Sequence, residues 1–171
     1  MKKHNGMRPL DVLILLKISL LDDRNFYLKH LSQALAISSS EVTESVNRSV
    51  MAGLIAGDKK TLMRKAFFEF LVYGLPYVFP QKPGALVAGM PTAHSASPLN
   101  REFKSDELYV WPDPEGSVRG QIIEPFHPGQ INASKHDKKL YELLALTDAM
   151  RVGKAREKKM AESELKRRLL H

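Results

Sequence analysis

The stretch LSQALAISSSEVTESVNRSVMAGLI, residues 31–55, holds the clearest structural pattern in this chain. Apolar residues recur at helical spacing on both sides of a turn: Leu31, Ala34, Leu35, Val42, Val46 and Val50. Ile37 is placed to fill the space between the two helices. Ser38 with Glu41 three residues later is a capping-box pattern, which starts a helix by satisfying exposed amides. The stretch therefore predicts one helix at about 27–36 and a second that starts near Ser38.

Helical patterns also flank this pair. The expected buried stripe of the first helix consists of Leu10, Leu13, Ile14, Leu16, Leu20 and Leu21. Pro9 suits the first turn of that helix, and the aspartates at 22–23 should end it. After Gly53, which suits a left-handed C-cap, a fourth helix is predicted from about 60 to 73. Gly74 followed by Pro76 is its expected stop signal.

Prolines interrupt the middle of the chain, so short strands and turns are expected there rather than long helices. The strand candidates are 77–79, 85–88, 108–111 and 119–123. The last 35 residues are helical in pattern, and Gly153 divides them into an apolar half and a highly charged half. The charged helix needs a partner surface, and it could pack back, mediate dimerisation, contact a DNA backbone or extend as a solvated tail.

These patterns predict an α+β fold with three segments. Residues 1–75 form a helix-turn-helix head, 76–136 a proline-rich module of short strands and loops, and 137–171 the C-terminal helices, for which we favour dimerisation. The length of 171 residues suits one compact unit with an appendage.

The composition favours a polyanionic partner. Lys and Arg number 26 against 19 acids, which gives a net charge of +7 and a pI near 9.6. No apolar run approaches the roughly 20 residues that span a bilayer, and no secretory signal pattern is present, so we expect a cytoplasmic protein with no membrane partner. The absence of cysteine excludes disulfides and thiolate metal sites.

Residues 31–55 resemble the helix-turn-helix core of winged-helix transcription regulators of the broad MarR and ArsR type. The segment 73–156, with YVFP, PTAHSASPL, YVWPDPEGSVRG and LYELLALTDAMRVGKARE, is similar to uncharacterised bacterial proteins described as helix-turn-helix regulators. Two features depart from the first pattern. Ala36 stands where glycine is frequent, and the segment AGDKKT, residues 56–61, is shorter than the usual two-stranded wing.

The resemblance implies a sequence-specific regulator of transcription, acting as a homodimeric repressor with its recognition helix in the major groove of double-stranded DNA. The face of that helix opposite the valines is the candidate base-reading surface: Ser39, Ser40, Thr43, Glu44, Asn47 and Arg48. The candidate phosphate contacts are Lys59, Lys60, Arg64 and Lys65, with Lys2, Lys3 and Arg8 in an N-terminal arm.

Other functions have weaker support in the sequence. The main alternative is a protein-interaction subunit of a plasmid, phage or defence-related complex, in which the helix pair docks on another protein. Binding of a small-molecule effector by the middle segment is compatible with either function.

The loop holding His94, Ser95 and Ser97 lacks the glycine-flanked elbow of a nucleophilic serine. With Trp111, Arg119 and His127 it could form a pocket for a small ligand or a peptide, or it could pack over the strands with the tryptophan as an anchor. The histidine spacings match no zinc motif, and no nucleotide-phosphate loop is present. We therefore expect no enzyme, no metal site and no cofactor.

Overall fold

The computed structural model describes residues 5–21 and 28–171. It is the expected mixture of α and β structure. The helices are α1 (Pro9–Ser19), α2 (Leu28–Leu35), α3 (Ser39–Met51), α4 (Arg64–Glu69), α5 (Leu75–Val78), α6 (Gly129–His136), α7 (Lys138–Val152) and α8 (Ala155–Leu170). The strands are β1 (Leu86–Pro91), β2 (Tyr109–Pro112) and β3 (Val118–Ile122). Within the described ranges, no helix is both long enough and apolar enough to cross a membrane.

Helix α1 lies at the centre of the molecule. It begins at Pro9, as predicted, where the Asp11 carboxylate accepts a hydrogen bond from the backbone N–H of Arg8 at 2.8 Å. The prediction of a single buried stripe is wrong, because α1 packs against α2, α3 and α7 and is buried on every side, including Val12 and Leu15. The helix ends at Ser19, and the stop predicted at 22–23 lies outside the described residues.

The turn between α2 and α3 contains Ala36, which stands where the winged-helix pattern frequently has glycine. Ala36 has φ = 52°, in the left-handed region where glycine is favoured. Ile37 follows it into the core, as predicted. Ser38 caps α3 by accepting a hydrogen bond from the Glu41 amide at 3.3 Å. Only this half of the capping box forms, because the Glu41 carboxylate accepts from the Ser38 hydroxyl instead of the Ser38 amide.

Helix α3 ends in a Schellman motif at Gly53, whose φ is 76°. The amide of Leu54 donates to the carbonyl of Ser49 at 2.9 Å, and the amide of Gly53 donates to that of Val50 at 3.0 Å. The predicted left-handed C-cap is therefore confirmed. It turns the chain so that Leu54 is buried beneath the helix end.

Residues 55–62 then form a very short hairpin rather than the start of a helix. Ile55 and Leu62 pair as an antiparallel bridge. The Asp58 carboxylate holds the turn by accepting hydrogen bonds from the amides of Lys60 at 2.8 Å and Thr61 at 2.9 Å. Because residues 60–63 serve the hairpin, the prediction that the fourth helix starts at Lys60 is wrong, and α4 starts at Arg64.

The fourth helix also continues past its predicted stop at Gly74. A π-helical turn, Phe70–Gly74, joins α4 to α5, and the Leu75 amide bonds to the Phe70 carbonyl five residues back. Pro76 then occupies the first turn of α5, where its missing N–H is tolerated. The strand predicted at 77–79 is therefore wrong, because the first two of these residues are helical.

The three other predicted strands are confirmed, within a few residues, as β1, β2 and β3. Strand β1 runs antiparallel to both β2 and β3, which pair with each other in parallel and close a very small barrel. The closure requires Gly89, since a Cβ there would lie 2.2 Å from the carbonyl oxygen of Trp111. It also brings Gly116 against the backbone of Gly89.

The C-terminal helices divide at Gly153, as predicted. The short helix α6 before them was not predicted. Helix α8 packs back onto α7 and α4, and this buries Ala161, Leu165 and Leu169. Buried residues from all three sequence segments join one hydrophobic core. The apolar stripe of α8 is thus covered by its own chain.

Candidate nucleic-acid interface

The outer face of α3 presents five of its six candidate residues to solvent: Ser39, Ser40, Thr43, Glu44 and Asn47. The Thr43 hydroxyl donates to the Ser39 carbonyl at 2.8 Å. The Ser40 hydroxyl lies 3.2 Å from that of Ser38. The Asn47 side chain makes no hydrogen bond within the described residues. Its amide is therefore available to an external donor and acceptor.

Arg48 departs from the predicted face. Its Nε and Nη2 donate to the two carboxylate oxygens of Asp11 at 2.9 and 2.7 Å, and its side chain is only 12% exposed. Hydrogen bonding to this fully buried carboxylate raises the pKa of Arg48, although burial opposes the charge. The prediction that Arg48 faces DNA is wrong in its placement, since the guanidinium fork fastens α3 to α1.

A groove of about 380 Å³ separates α3 from the hairpin. Its walls are formed by Leu28, Thr43, Val46, Asn47, Asp58, Lys59 and Lys60. Lys59 has φ = 60° at the tip of the hairpin, and both lysines are exposed. The Asp58 carboxylate is occupied by the turn amides and by the Thr61 hydroxyl at 2.6 Å. The groove thus combines a neutral polar helix face with two ammonium groups.

The other candidate phosphate contacts lie apart from this groove. Arg64 donates to the carbonyl of Leu169 at 3.3 Å and to that of Ser19 at 3.2 Å, so its guanidinium joins the C-terminal ends of α8 and α1. The guanidinium is therefore already engaged by two backbone carbonyls, and its contact with a phosphate stays a prediction. Lys65 is exposed on the first turn of α4, and Arg8 is exposed before α1. The arm residues Lys2 and Lys3 lie outside the described residues.

Acidic groups also border the face of α3. Glu41 and Glu44 are both exposed, and Glu44 approaches Arg48 at 3.8 Å. Because Arg48 is paired with Asp11, the cations that line the groove beside this face are, among the described residues, Lys59 and Lys60.

The serines and the histidine of the middle segment make hydrogen bonds within the local structure. Ser95 Oγ accepts a hydrogen bond from the Tyr109 amide at 2.9 Å and lies 3.4 Å from Nε2 of the buried His94. That Nε2 lies 2.8 Å from the carbonyl oxygen of Glu107. Ser97 donates to the Glu142 carboxylate at 2.9 Å. The two serine hydroxyls and Nε2 of His94 are thus engaged locally, whereas the buried Nδ1 of His94 has no hydrogen-bond partner within the described residues.

The predicted grouping of this loop with Trp111, Arg119 and His127 does not form one pocket, although a cavity of about 510 Å³ does lie beside His94, lined also by Glu102, Glu107, Tyr109, Lys154 and Arg156. Trp111 is fully buried as an anchor, Arg119 is exposed on β3, and His127 accepts the Gly129 amide at 3.0 Å at the start of α6. In the part of the chain that the structure describes, no three histidine or acidic side chains are grouped as metal ligands.

Sequence reasoning missed two buried carboxylates that organise the fold. Asp11 binds Arg48, and Asp148 accepts hydrogen bonds from Thr92 and from Trp111 at 2.7 Å each and from Arg151 at 3.1 Å. The available signal was an aspartate with apolar residues close by on both sides in the sequence, which requires a polar partner when buried. Such a signal identifies the acid but not its distant partner.

No protein-family model, no curated protein and no solved structure matches this chain.

Proposed function

We propose that this protein binds double-stranded DNA in a sequence-specific manner and regulates transcription, as a repressor that acts as a homodimer. A single observation carries the proposal: Thr43 and Asn47 of α3 line the same groove as Lys59 and Lys60 of the hairpin. A polar helix face beside a cationic turn matches the two tasks of a DNA reader, base contact and phosphate contact.

The chemistry assigns a role to each group. The Asn47 amide can donate to and accept from an adenine edge in the major groove. The hydroxyls of Ser39, Ser40 and Thr43 offer adaptable hydrogen bonds, and Glu44 suits the amino group of cytosine. Lys59 and Lys60 neutralise phosphates, so the hairpin acts as a minimal wing. Arg48 holds α3 against α1 through Asp11 and does not read bases.

The test measures duplex binding by fluorescence anisotropy at several salt concentrations, first with random duplex and then with the DNA upstream of the protein's own gene. Replacing Lys59 and Lys60 with alanine should weaken binding to all sequences and reduce the salt slope by about 2, since each phosphate contact contributes roughly 1. Lys82→Ala/Lys104→Ala removes the same charge elsewhere and is the matched control.

Asn47→Ala should instead remove discrimination of about 1–3 kcal/mol at one base position and leave the salt slope unchanged. The absence of any duplex binding at low salt, for a protein whose fold is verified by circular dichroism, would refute the proposal.

A second candidate function rests on Glu41 and Glu44, which place two exposed acids on the face of α3. Acids repel phosphates, so the same face suits docking on a basic protein surface. Under this alternative, the protein is an interaction subunit. Glu41→Gln/Glu44→Gln then weakens partner binding, whereas in a DNA-binding protein the same change strengthens non-specific duplex binding.

A further inference from the structure

One line of exposed side chains on α4–α5 has no role in the groove or in the core. Lys65, Glu69, Tyr73 and Tyr77 follow each other at four-residue intervals, and we refer to them as the tyrosine stripe. Tyr73 is 66% exposed and Tyr77 is 85% exposed. Within the described residues, neither Lys65 nor Glu69 makes an ion pair.

The π-helical turn explains why these residues form one line. In a regular α-helix each four-residue step overshoots one turn by about 40°, so residues twelve apart lie about 120° apart around the axis. The π turn inserts one extra residue, which reduces that offset to about 20°. Phe67, Leu71 and Leu75, which have the same four-residue spacing, are all fully buried, as expected if the π turn keeps this spacing in register.

The stripe is large enough to form the centre of an interface. A tyrosine side chain contributes about 150–250 Å² when buried, so the exposed parts of Tyr73 and Tyr77 amount to roughly 300 Å². Val78 beside them, at 51% exposed, enlarges the apolar area. Patches of this size on a monomer often mark interaction sites, and aromatic residues are enriched at interface centres.

We propose that a second copy of this chain covers the stripe. In a two-fold symmetric contact, the same patch must complement itself. Let the stripes of the two copies run antiparallel, with the two-fold axis passing beside Leu71. Glu69 then lies opposite the partner's Tyr73, and Lys65 lies opposite the partner's Tyr77. The phenol O–H then donates to the carboxylate, and the ammonium lies on the aromatic ring as a cation–π pair.

This register gives every residue of the stripe a complementary partner. An axis level with Tyr73 would instead stack the two copies of that tyrosine and leave Lys65 without a counterpart. The proposed contact assigns Lys65 to the dimer rather than to DNA. It also moves dimerisation from the C-terminal helices to α4–α5, in agreement with the burial of α8 by its own chain.

Sedimentation velocity of the full chain without DNA tests the interface. We expect the mass of a dimer for the wild type and of a monomer for Tyr73→Ser/Tyr77→Ser, with unchanged circular dichroism. Met51→Ser/Met63→Ser removes two exposed apolar side chains elsewhere, 68% and 44% exposed, and should remain a dimer. A monomeric wild type, or a tyrosine variant that stays dimeric, would overturn the proposal.

Cysteine cross-linking tests the register, because the natural chain contains no cysteine. Chains carrying Glu69→Cys and Tyr73→Cys, distinguished by tags of different size, should form a mixed disulfide when combined under mild oxidation. Neither variant alone should cross-link efficiently. Preferential Tyr73→Cys homodimers would refute the register. Since both measurements omit DNA, their failure is separable from failure of the proposed DNA binding.

Discussion

Removing the Arg48 side chain should destabilise the fold rather than redirect base recognition. Arg48→Ala takes away both arms of the fork that binds Asp11 at 2.7 and 2.9 Å. Asp11 is fully buried and, among the described residues, would keep only the hydrogen bond from the Arg8 amide, at 2.8 Å. The substitution therefore leaves a carboxylate in the core without a counter-charge.

Breaking a buried ion pair by removing one partner costs about 3–5 kcal/mol. Because the Arg48 side chain is 12% exposed, water compensates part of the loss, and we expect about 3 kcal/mol. For a chain of this size, that loss lowers Tm by roughly 6–12 °C. Glu44→Ala removes a contact that is 3.8 Å long and largely exposed, so it should cost under about 0.5 kcal/mol.

Urea unfolding followed by the fluorescence of Trp111, the single tryptophan, measures both values. Asp11→Leu/Arg48→Met replaces the pair with apolar groups and should recover most of the stability lost in Arg48→Ala. The reasoning fails if Arg48→Ala unfolds at the wild-type urea concentration while its preference among operator sequences changes. That result would show the guanidinium on DNA instead of on Asp11.

Three further predictions concern the turn, the sheet and the C-terminal helix. Ala36→Gly should relieve the left-handed backbone and raise stability by about 0.5–1 kcal/mol in thermal unfolding, whereas Ala52→Gly, at φ = −77°, should lower it. Gly89→Ala should lower the free energy of unfolding by about 3 kcal/mol through overpacking, and it should change the near-ultraviolet circular dichroism. A variant with the spectrum and the Tm of the wild type would argue against the tight barrel. Burial opposes ionisation of Glu142, but hydrogen bonds from Arg168 and Ser97 outweigh it and lower its pKa. Because the pKa of Glu142 is lower in the folded state than in the unfolded state, its ionised form stabilises the fold at pH 7, and Glu142→Gln should be less stable there. The difference should begin to shrink as pH falls through the unfolded value of about 4.3 and should be lost below the lowered folded pKa. A difference that persists at low pH would contradict this sign.

The parts of the fold that sequence predicts are those coded locally. The turn before α3, its cap at Ser38 and its end at Gly53 each depend on residues within five positions of one another. The three strands of the barrel follow from short runs of β-forming residues between turn signals. Charge and position in the sequence predict Lys59 and Lys60 as phosphate contacts. The structure places both lysines beside α3, and the phosphate contact itself stays a prediction.

The parts that sequence does not predict depend on distant partners. Arg48 sits at a helical position that also suits a solvent-facing side chain, and only its pairing with Asp11, 37 residues away, draws it inward. Arg64 is bound by carbonyls 45 and 105 residues away. The π turn has no local signature, so its helix was expected to end at Gly74. A charge pattern alone cannot distinguish a cation that meets DNA from one that fastens two helices.

Because α1 is buried on every side, its packing is completed only after the C-terminal part of the chain has been synthesised. Its partners include α7, and Lys17 bonds to Asp137 at 2.6 Å across 120 positions of sequence. Contacts of such separation form late, because the chain between them must first be ordered. During synthesis the N-terminal helices therefore leave the ribosome long before the helix that covers them. Until α7 emerges, the nascent head exposes the side of α1 that α7 later covers.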